Sequence, residues 1–548
     1  MKRFILTAVC VMTAVSAQTT PAALANLIQT GNRKAALEKI RAGADVNEAQ
    51  PDGTRPIHWA VYRVDYELLD ALLARKAKVD VANEFGATPL AEAAKLGDSR
   101  LVKKLLDAGA APEAANADGQ TALMLAIKTG ELPVVEMLIK AGANVNAVEE
   151  FHNQTPLMWA AAAPKNAGEI TKMLLAKGAS VKARALAYDW PSQITSEPRA
   201  QYRPVGGLTA LLYAAREGCY DCVEALLTAG ADPNVPTPEA VTPLMLALDN
   251  DQTSVAKLLL DRGANPNLWD WWGRTALYIV IDRKEGGSSA GLRLGEAALR
   301  NAPPPPKPIA ASGTTQPPLS YLEIVRALLD AGADVNPQLN MHRPSRGGNS
   351  GRFIDPLLGT GCTPLLRAAM GADMEVAQAL LAKGAQPNIN AMGLTPFLVA
   401  AGVGTGNRGG TGLAAASSAG QPVNMPLVQL LLEHGADVNA QVSGTNTYSM
   451  RISRAPSSNE GMTALHVAAL SGNTDLVRYL LGKGASADIV DATGRKPIDL
   501  VGAQTSANPA TSSTVGNPTT ARAAGQGIAA AASAAEIRGM LETAATAK

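Results

Sequence analysis

Thr463-Ala464-Leu465-His466-Val467-Ala468-Ala469, then Leu476-Val477 and Leu480-Leu481, then Gly484-Ala485, is the stretch on which the reading of the fold turns. A hydroxyl residue just ahead of a short apolar run is a helix N-cap signal. The Leu-Val-x-x-Leu-Leu spacing puts apolar side chains at i, i+1, i+4 and i+5, on one face of a second helix. Gly484 stands where a left-handed residue would end that helix. The segment therefore reads as two short helices closed by a glycine turn.

The segment recurs. The residue opening each tetrad of the Thr-Pro-Leu kind falls at Arg55, Thr88, Thr121, Thr155, Thr209, Thr242, Thr275, Thr363, Thr395, Thr463 and Lys496. Successive gaps are 33, 33, 34, 54, 33, 33, 88, 32, 68 and 33, so the three long ones are one period plus inserted chain. A second anchor, Gly-Ala-Asp or Gly-Ala-Asn, agrees at Gly43, Gly142, Gly230, Gly263, Gly332 and Gly435. These residues closely resemble the ankyrin repeat family, over most of residues 22–502. The resemblance implies an all-α repeat solenoid of stacked helix-turn-helix units with β-turn fingers, a concave groove lined by the first helix of each pair, and a protein partner.

The physical chemistry of each position is consistent with that. Thr caps the first helix, and Pro suits the first helical position, where its missing N–H leaves nothing unsatisfied. No helix pair can bury its apolar face alone, so stacking supplies a continuous core. Length alone, at about 150 residues per domain, would give 548 residues three or four globular domains; the period replaces these with about twelve helix pairs. Small Ala-rich contacts between neighbours account for an aromatic content of only 4%.

Composition narrows the class. Apolar residues reach 47% and 49 Lys+Arg face 48 Asp+Glu, which argues against general disorder, nucleic-acid binding and a polybasic membrane surface. Lys2 and Arg3 precede an apolar run from Phe4 to Val15, and Val15-Ser16-Ala17 supplies small residues for cleavage, the order of a secretory signal peptide. The run is too short to cross a bilayer of about 30 Å. Cys10 has no lipoprotein-type approach. Residues 1–17 are thus expected to be a signal peptide and the chain an exported bacterial protein of the periplasm, with no stable membrane insertion.

The organisation that follows is a capping helix pair at 22–50, repeats at 51–184, a long finger at 185–206, and repeats at 207–336 interrupted between helices at 284–319. A second long finger at 337–360 leads to repeats at 361–440, with a Gly/Ala-rich insertion at 404–423. A third finger at 441–459, repeats at 460–502, a low-complexity insertion at 503–527 and a capping helix at 528–548 complete it. The last helix is expected to pair with a first helix from Lys496 to Val501.

Arginine and aromatic side chains, the types enriched at binding hot spots, concentrate in the long fingers. The first carries Trp190 and Tyr202, the second Arg343, Arg346 and Phe353, the third Tyr448 and Arg451. The alternative is that these loops cover a neighbouring repeat. Trp59, Trp159 and Tyr213 occupy the variable position of the tetrad helix, facing the groove, and Trp269, Trp271 and Trp272 surround Asp270 in an ordinary finger. The groove position reads on as Glu92, Leu125, Leu246, Ile279, Arg367, Val399 and Val467, with little charge. A solenoid using Trp for stability alone would bury it between helices. The expectation is a groove open to a partner, although fingers folded over it would bury the same residues.

Other motifs are dismissed on context. Gly404-Thr-Gly406-Asn-Arg-Gly409 follows a helix, and Gly287-Ser-Ser289-Ala-Gly291 lacks the strand its pattern needs. No spacing of His and Cys suggests a metal, and no cofactor is implied. His58 and His466 are structural tetrad residues. Cys219-Tyr-Asp-Cys222, at the start of a second helix, is a candidate disulfide, with Cys362 left over. The reading is a monomeric, non-catalytic protein-interaction scaffold. Two alternatives stay open: a redox or enzyme-accessory protein using Cys219 and Cys222, and a secreted effector binding host proteins.

Overall fold

The computed structural model describes residues 23–189, 204–270, 273–284, 317–339, 361–391, 393–403, 423–443, 459–502 and 520–547. They form short helices in regular alternation, in two compact units. The first unit comprises residues up to Asn166 with Lys177–Ala179, and the second Ala167–Ala176 with Ser180 onward.

In the first unit, α1 (Leu24–Gln29), α3 (Pro56–Tyr62), α5 (Pro89–Leu96), α7 (Ala122–Thr129) and α9 (Pro156–Ala161) stack in one row. Behind them lie α2 (Arg33–Arg41), α4 (Tyr66–Ala74), α6 (Ser99–Asp107) and α8 (Leu132–Lys140). The second unit begins with α10 (Ala167–Ala176). It continues through the first-row helices α11 (Ala210–Glu217), α13 (Pro243–Asp249), α15 (Ala276–Lys284), α17 (Pro364–Met370), α19 (Pro396–Ala400) and α21 (Ala464–Ser471). Their partners are α12 (Tyr220–Thr228), α14 (Thr253–Asp261), α16 (Tyr321–Asp330), α18 (Met374–Ala382), α20 (Met425–Glu433) and α22 (Thr474–Gly482).

Local chemistry sets these boundaries. The hydroxyls of Thr88, Thr121, Thr209, Thr242, Thr363, Thr395 and Thr463 each accept the backbone N–H three residues on, which caps the first-row helices. Thr155 is the exception, its buried hydroxyl having no hydrogen-bond partner among the described residues. Second-row helices use Asp65, Asp98, Asp373, Asn424 and Asn473 in the same way. Second helices stop at a left-handed glycine such as Gly43, Gly230 or Gly484, where a side chain would strain the backbone; α4 is the exception, ending at Lys76 in the same left-handed conformation. The core is aliphatic and small, with Leu101, Val102 and Leu105 of α6 typical and Phe397 a fully buried exception.

Fingers join successive pairs and hydrogen-bond side by side: in the first unit Glu84 N–H donates to Asp52, Ala117 N–H to Phe85 and Glu150 N–H to Asp118 carbonyls. One side chain per finger braces its turn. Asn83 accepts from Phe85 and Ala87, Glu149 from Phe151, His152 and Gln154, and Asp491 from Thr493 and Arg495 N–H groups. Burial pushes the Asp491 carboxyl up, but these donors and the Arg495 guanidinium outweigh it and hold its pKa at about 2. In the second unit β1 (Ala187–Asp189) pairs antiparallel with β2 (Pro204–Gly206), the two ends of the first long finger.

The C-terminus differs from expectation. The expected helix from Lys496 to Val501 is a single 3-10 turn, Pro497–Leu500. The closing helix α23 spans Thr520–Thr546, starting inside the stretch read as an insertion, because its Ala-rich sequence continues the helix upstream. Ile537 and Leu541 are buried, and Glu536 pairs with Arg478 at 2.5 Å.

Candidate protein-interaction surface

The first unit presents an open face built by its first-row helices. Trp59, Glu92, Leu125 and Trp159 are half-buried, whereas the residues on either side of each are fully buried. One helical turn on, Tyr62 (58% exposed), Lys95 and Lys128 reach solvent, so the open stripe follows the i, i+3 geometry of each helix. The Trp59 indole N–H donates to Gln50 Oε1 at 2.7 Å, and its ring meets Tyr62 edge-on at 5.8 Å. Lys128 Nζ lies 5.9 Å from the Trp159 ring centroid, within cation–π range. The Trp159 N–H is buried without an acceptor among the described residues. At the fingertips Phe85 and Phe151 are each 68% exposed.

In the second unit the column divides. Tyr213 is half-buried beneath the Arg216 guanidinium, 5.1 Å from its ring centroid. Leu246, Ile279, Arg367, Val399 and Val467 are buried, which corrects the expectation of an open groove position there. Helices α13 and α15 explain the change: from Pro243 to Asp249 and from Ala276 to Asp282 every residue is buried. Their Leu-Met-Leu-Ala-Leu and Leu-Tyr-Ile-Val-Ile runs have no polar stripe, the pattern of a helix covered all round. Arg367 donates to Asp282 at 2.8 Å instead of facing solvent.

Trp269 is 60% exposed in its finger, and the Asp270 that follows it points inward. Arg274 Nε donates to Asp270 at 2.7 Å, while its two Nη atoms grip Asp249 at 3.1 and 3.0 Å. All three groups are buried. Burial pushes the Asp270 carboxyl up despite Arg274, whereas the two carboxylates outweigh the burial of Arg274 and hold it more firmly protonated. Nothing in the letter pattern separated this arginine from an exposed finger residue. By contrast, Tyr62, Lys95 and Lys128 were findable by stepping one turn along from the groove position.

The tetrad histidines brace neighbouring repeats. His466 Nδ1 accepts from Thr463 N–H at 3.1 Å, which assigns the proton to Nε2, 3.1 Å from the Arg495 carbonyl of the next finger. His58 does the same with Arg55 N–H and with the Val81 and Ala87 carbonyls. Burial lowers the pKa of both.

Cys219 and Cys222 form a disulfide. Cys219 occupies the N-cap of α12 and Cys222 the third helical position, whose N–H donates to Cys219 Sγ at 3.3 Å. The bond therefore lies where other repeats place a capping Asp or Asn and the first buried apolar residue. Cys362 lies outside it, its side chain buried.

Trp190, Tyr202, Trp271, Trp272, Arg343, Arg346, Phe353, Tyr448 and Arg451, also expected to meet a partner, lie outside the described residues. Among the described residues no group of three or more His, Cys, Asp or Glu is placed to hold a metal ion, and no helix is long and apolar enough to cross a membrane.

Paired short helices, left-handed glycine stops and hydrogen-bonded fingers define a helical repeat solenoid, a class built to present an extended surface. The family model for ankyrin repeats in three copies matches residues 24–116, 90–185, 211–288 and 397–491, and that for a single ankyrin repeat matches 360–391. These matches cover more than half of the sequence: the chain belongs to the ankyrin repeat family, whose arrays serve as protein–protein interaction scaffolds. It is 35% identical over 145 residues to human ankyrin repeat and SOCS box protein 16, covering 24% of this chain and 30% of that one. Against human mitochondrial disaggregase the identity is 33% over 199 residues, 34% of this chain and 24% of the relative. Mouse B-cell lymphoma 3 protein homolog is 37% identical over 84 residues, 15% and 19% of the respective chains. The chain thus spans less than a third of each of these relatives.

Proposed function

We propose that the chain is a non-catalytic, monomeric scaffold, exported to a bacterial periplasm, that holds a partner protein against the open face of its first unit. The observation that carries this reading is the half-buried placing of Trp59 and Trp159 on helices whose adjacent residues are all buried. A large indole left half in solvent costs hydrophobic free energy that a partner's surface recovers on binding. Tyr213 and the exposed Trp269 offer the second unit's own contacts. Export is supported by the basic, apolar and small-residue order of residues 2–17 and by the disulfide, a bond that persists in oxidising compartments.

A redox role is the second reading, favoured by the Cys-x-x-Cys disulfide at a helix start. Affinity capture from periplasmic extract separates the two. A partner retained by the wild type and by Cys219→Ser/Cys222→Ser, and lost by Trp59→Ala/Trp159→Ala, supports the scaffold. A partner lost only with the cysteines overturns it.

A further inference from the structure

Three strips run along the open face of the first unit. The fingertips carry acidic residues beside the exposed Phe85 and Phe151: Glu84, Asp118 and Glu150 are exposed and make no ion pair among the described residues. The floor is Trp59, Leu125 and Trp159, interrupted by Glu92. The far edge is basic at its centre, where Lys95 and Lys128 stand between Tyr62 and Ala162. Among the described residues Lys95 reaches only Glu92, at 3.7 Å, and Lys128 reaches only the Trp159 ring. An apolar floor between an acidic and a basic edge is complementary to one occupant in particular, an element with an apolar stripe flanked by opposite charges.

Spacing selects the element. Packed helices sit about 8–10 Å apart, so each strip repeats at that interval. An α-helix rises about 10.5 Å in seven residues and returns to nearly the same face. Laid along the stack, it sets one residue of each heptad opposite Trp59, Glu92, Leu125 and Trp159 in turn. A β-strand covers the same interval in about three residues, which turns alternate contacts to the wrong side. We infer that the first unit binds an amphipathic α-helix of a partner protein, of about three heptads. Its apolar residues lie on the tryptophans, a basic residue faces Glu92, an acidic flank faces Lys95 and Lys128, and a basic flank faces the fingertips.

This rests on the scaffold reading above, and the test keeps the two apart. The full chain is titrated with a synthetic helical peptide of three heptads carrying a Leu stripe broken by one Lys in the register of Glu92, one Glu flank and one Lys flank, with a scrambled peptide of equal composition, and with a proline-rich peptide of equal charge. The expected result is saturable binding of the helical peptide alone. Lys95→Glu/Lys128→Glu should weaken it at least tenfold, and a peptide with Lys on both flanks should recover that loss. Equal binding of the scrambled or proline-rich peptide, or failure of the charge-swapped peptide to recover affinity, overturns the inference. If no peptide binds while Trp59→Ala/Trp159→Ala still abolishes partner capture, the helix inference falls and the scaffold reading stands. If neither effect is seen, both fall.

Discussion

The side-chain amide of Asn267 donates to the carbonyl of Gly332, 65 residues further along the chain, at 3.0 Å, and its oxygen accepts Asp334 N–H at 2.7 Å. The same two bonds join Asn388 to Gly435 and Asp437, and Asn234 to Gly263 and Asn265. Each Asn thus reaches the carbonyl of the glycine just beyond the next repeat's second helix and ties one repeat to the next. Inserted chain between the helices of a repeat does not disturb the ladder, which is why one period plus an insertion is tolerated. Asn267→Ala removes both bonds and should cost about 1–2 kcal/mol, read as a lower urea midpoint. Asn267→Asp should cost part of this, since a carboxylate still accepts Asp334 N–H but cannot donate to Gly332. An unchanged midpoint for both would remove the ladder from the account of stability.

Arg274 offers a sharper test of buried electrostatics. Arg274→Met leaves Asp249 and Asp270 buried without the guanidinium between them, and losing one partner of a buried ion group costs roughly 3–5 kcal/mol. Chemical denaturation of the variant should show that loss, with partial recovery when Asp249→Asn is added. A variant as stable as the parent would mean that solvent reaches the triad.

Acidification should weaken the fold in two stages. His58 and His466 have folded-state pKa values below the usual 6.5, so the unfolded chain takes up their protons first. Their stabilising effect is complete above about 6.5 and is lost as pH falls through the folded values. Protonation of His466 sets an Nδ1–H against Thr463 N–H. Asp491, held at about 2 against an ordinary 3.8, acts on the acid side, its contribution fading between those values. The melting temperature of the wild type should fall between about pH 7 and pH 5, and that of His58→Ala/His466→Ala, lower throughout, should change less over that window. Parallel curves would contradict the assignment.

The disulfide is expected to act as a covalent N-cap. Opening it removes about 2 kcal/mol by loop entropy and leaves a thiol as a poor substitute for the Asp and Asn of other repeats. Reductant should lower the melting temperature of the wild type and leave that of Cys219→Asp/Cys222→Val unaffected. If reductant has no effect on the wild type, the bond is dispensable.

The helices, caps and glycine stops were legible because one residue pattern is written repeatedly, so propensity, capping and period agree. The open face at Trp59 and Trp159 was legible for the same reason: its position in the repeat fixes its direction. The closure around Leu246, Ile279 and Arg367 was not. The same column holds apolar letters in both units, and only the unbroken apolar runs of α13 and α15 distinguish a covered helix from a grooved one. Arg274 and Asp270 were hidden because a finger arginine between polar neighbours reads as solvent-exposed until Asp249, from the preceding repeat, is placed beside it.

The most direct test is the affinity of the captured partner for the wild type and for Trp59→Ala/Trp159→Ala, measured beside the melting temperature of each. The account predicts at least a thirtyfold loss of affinity, about 2 kcal/mol, with a melting temperature within a few degrees of the wild type. Unchanged affinity together with a large fall in melting temperature would show that the two tryptophans serve the fold and that the partner binds elsewhere.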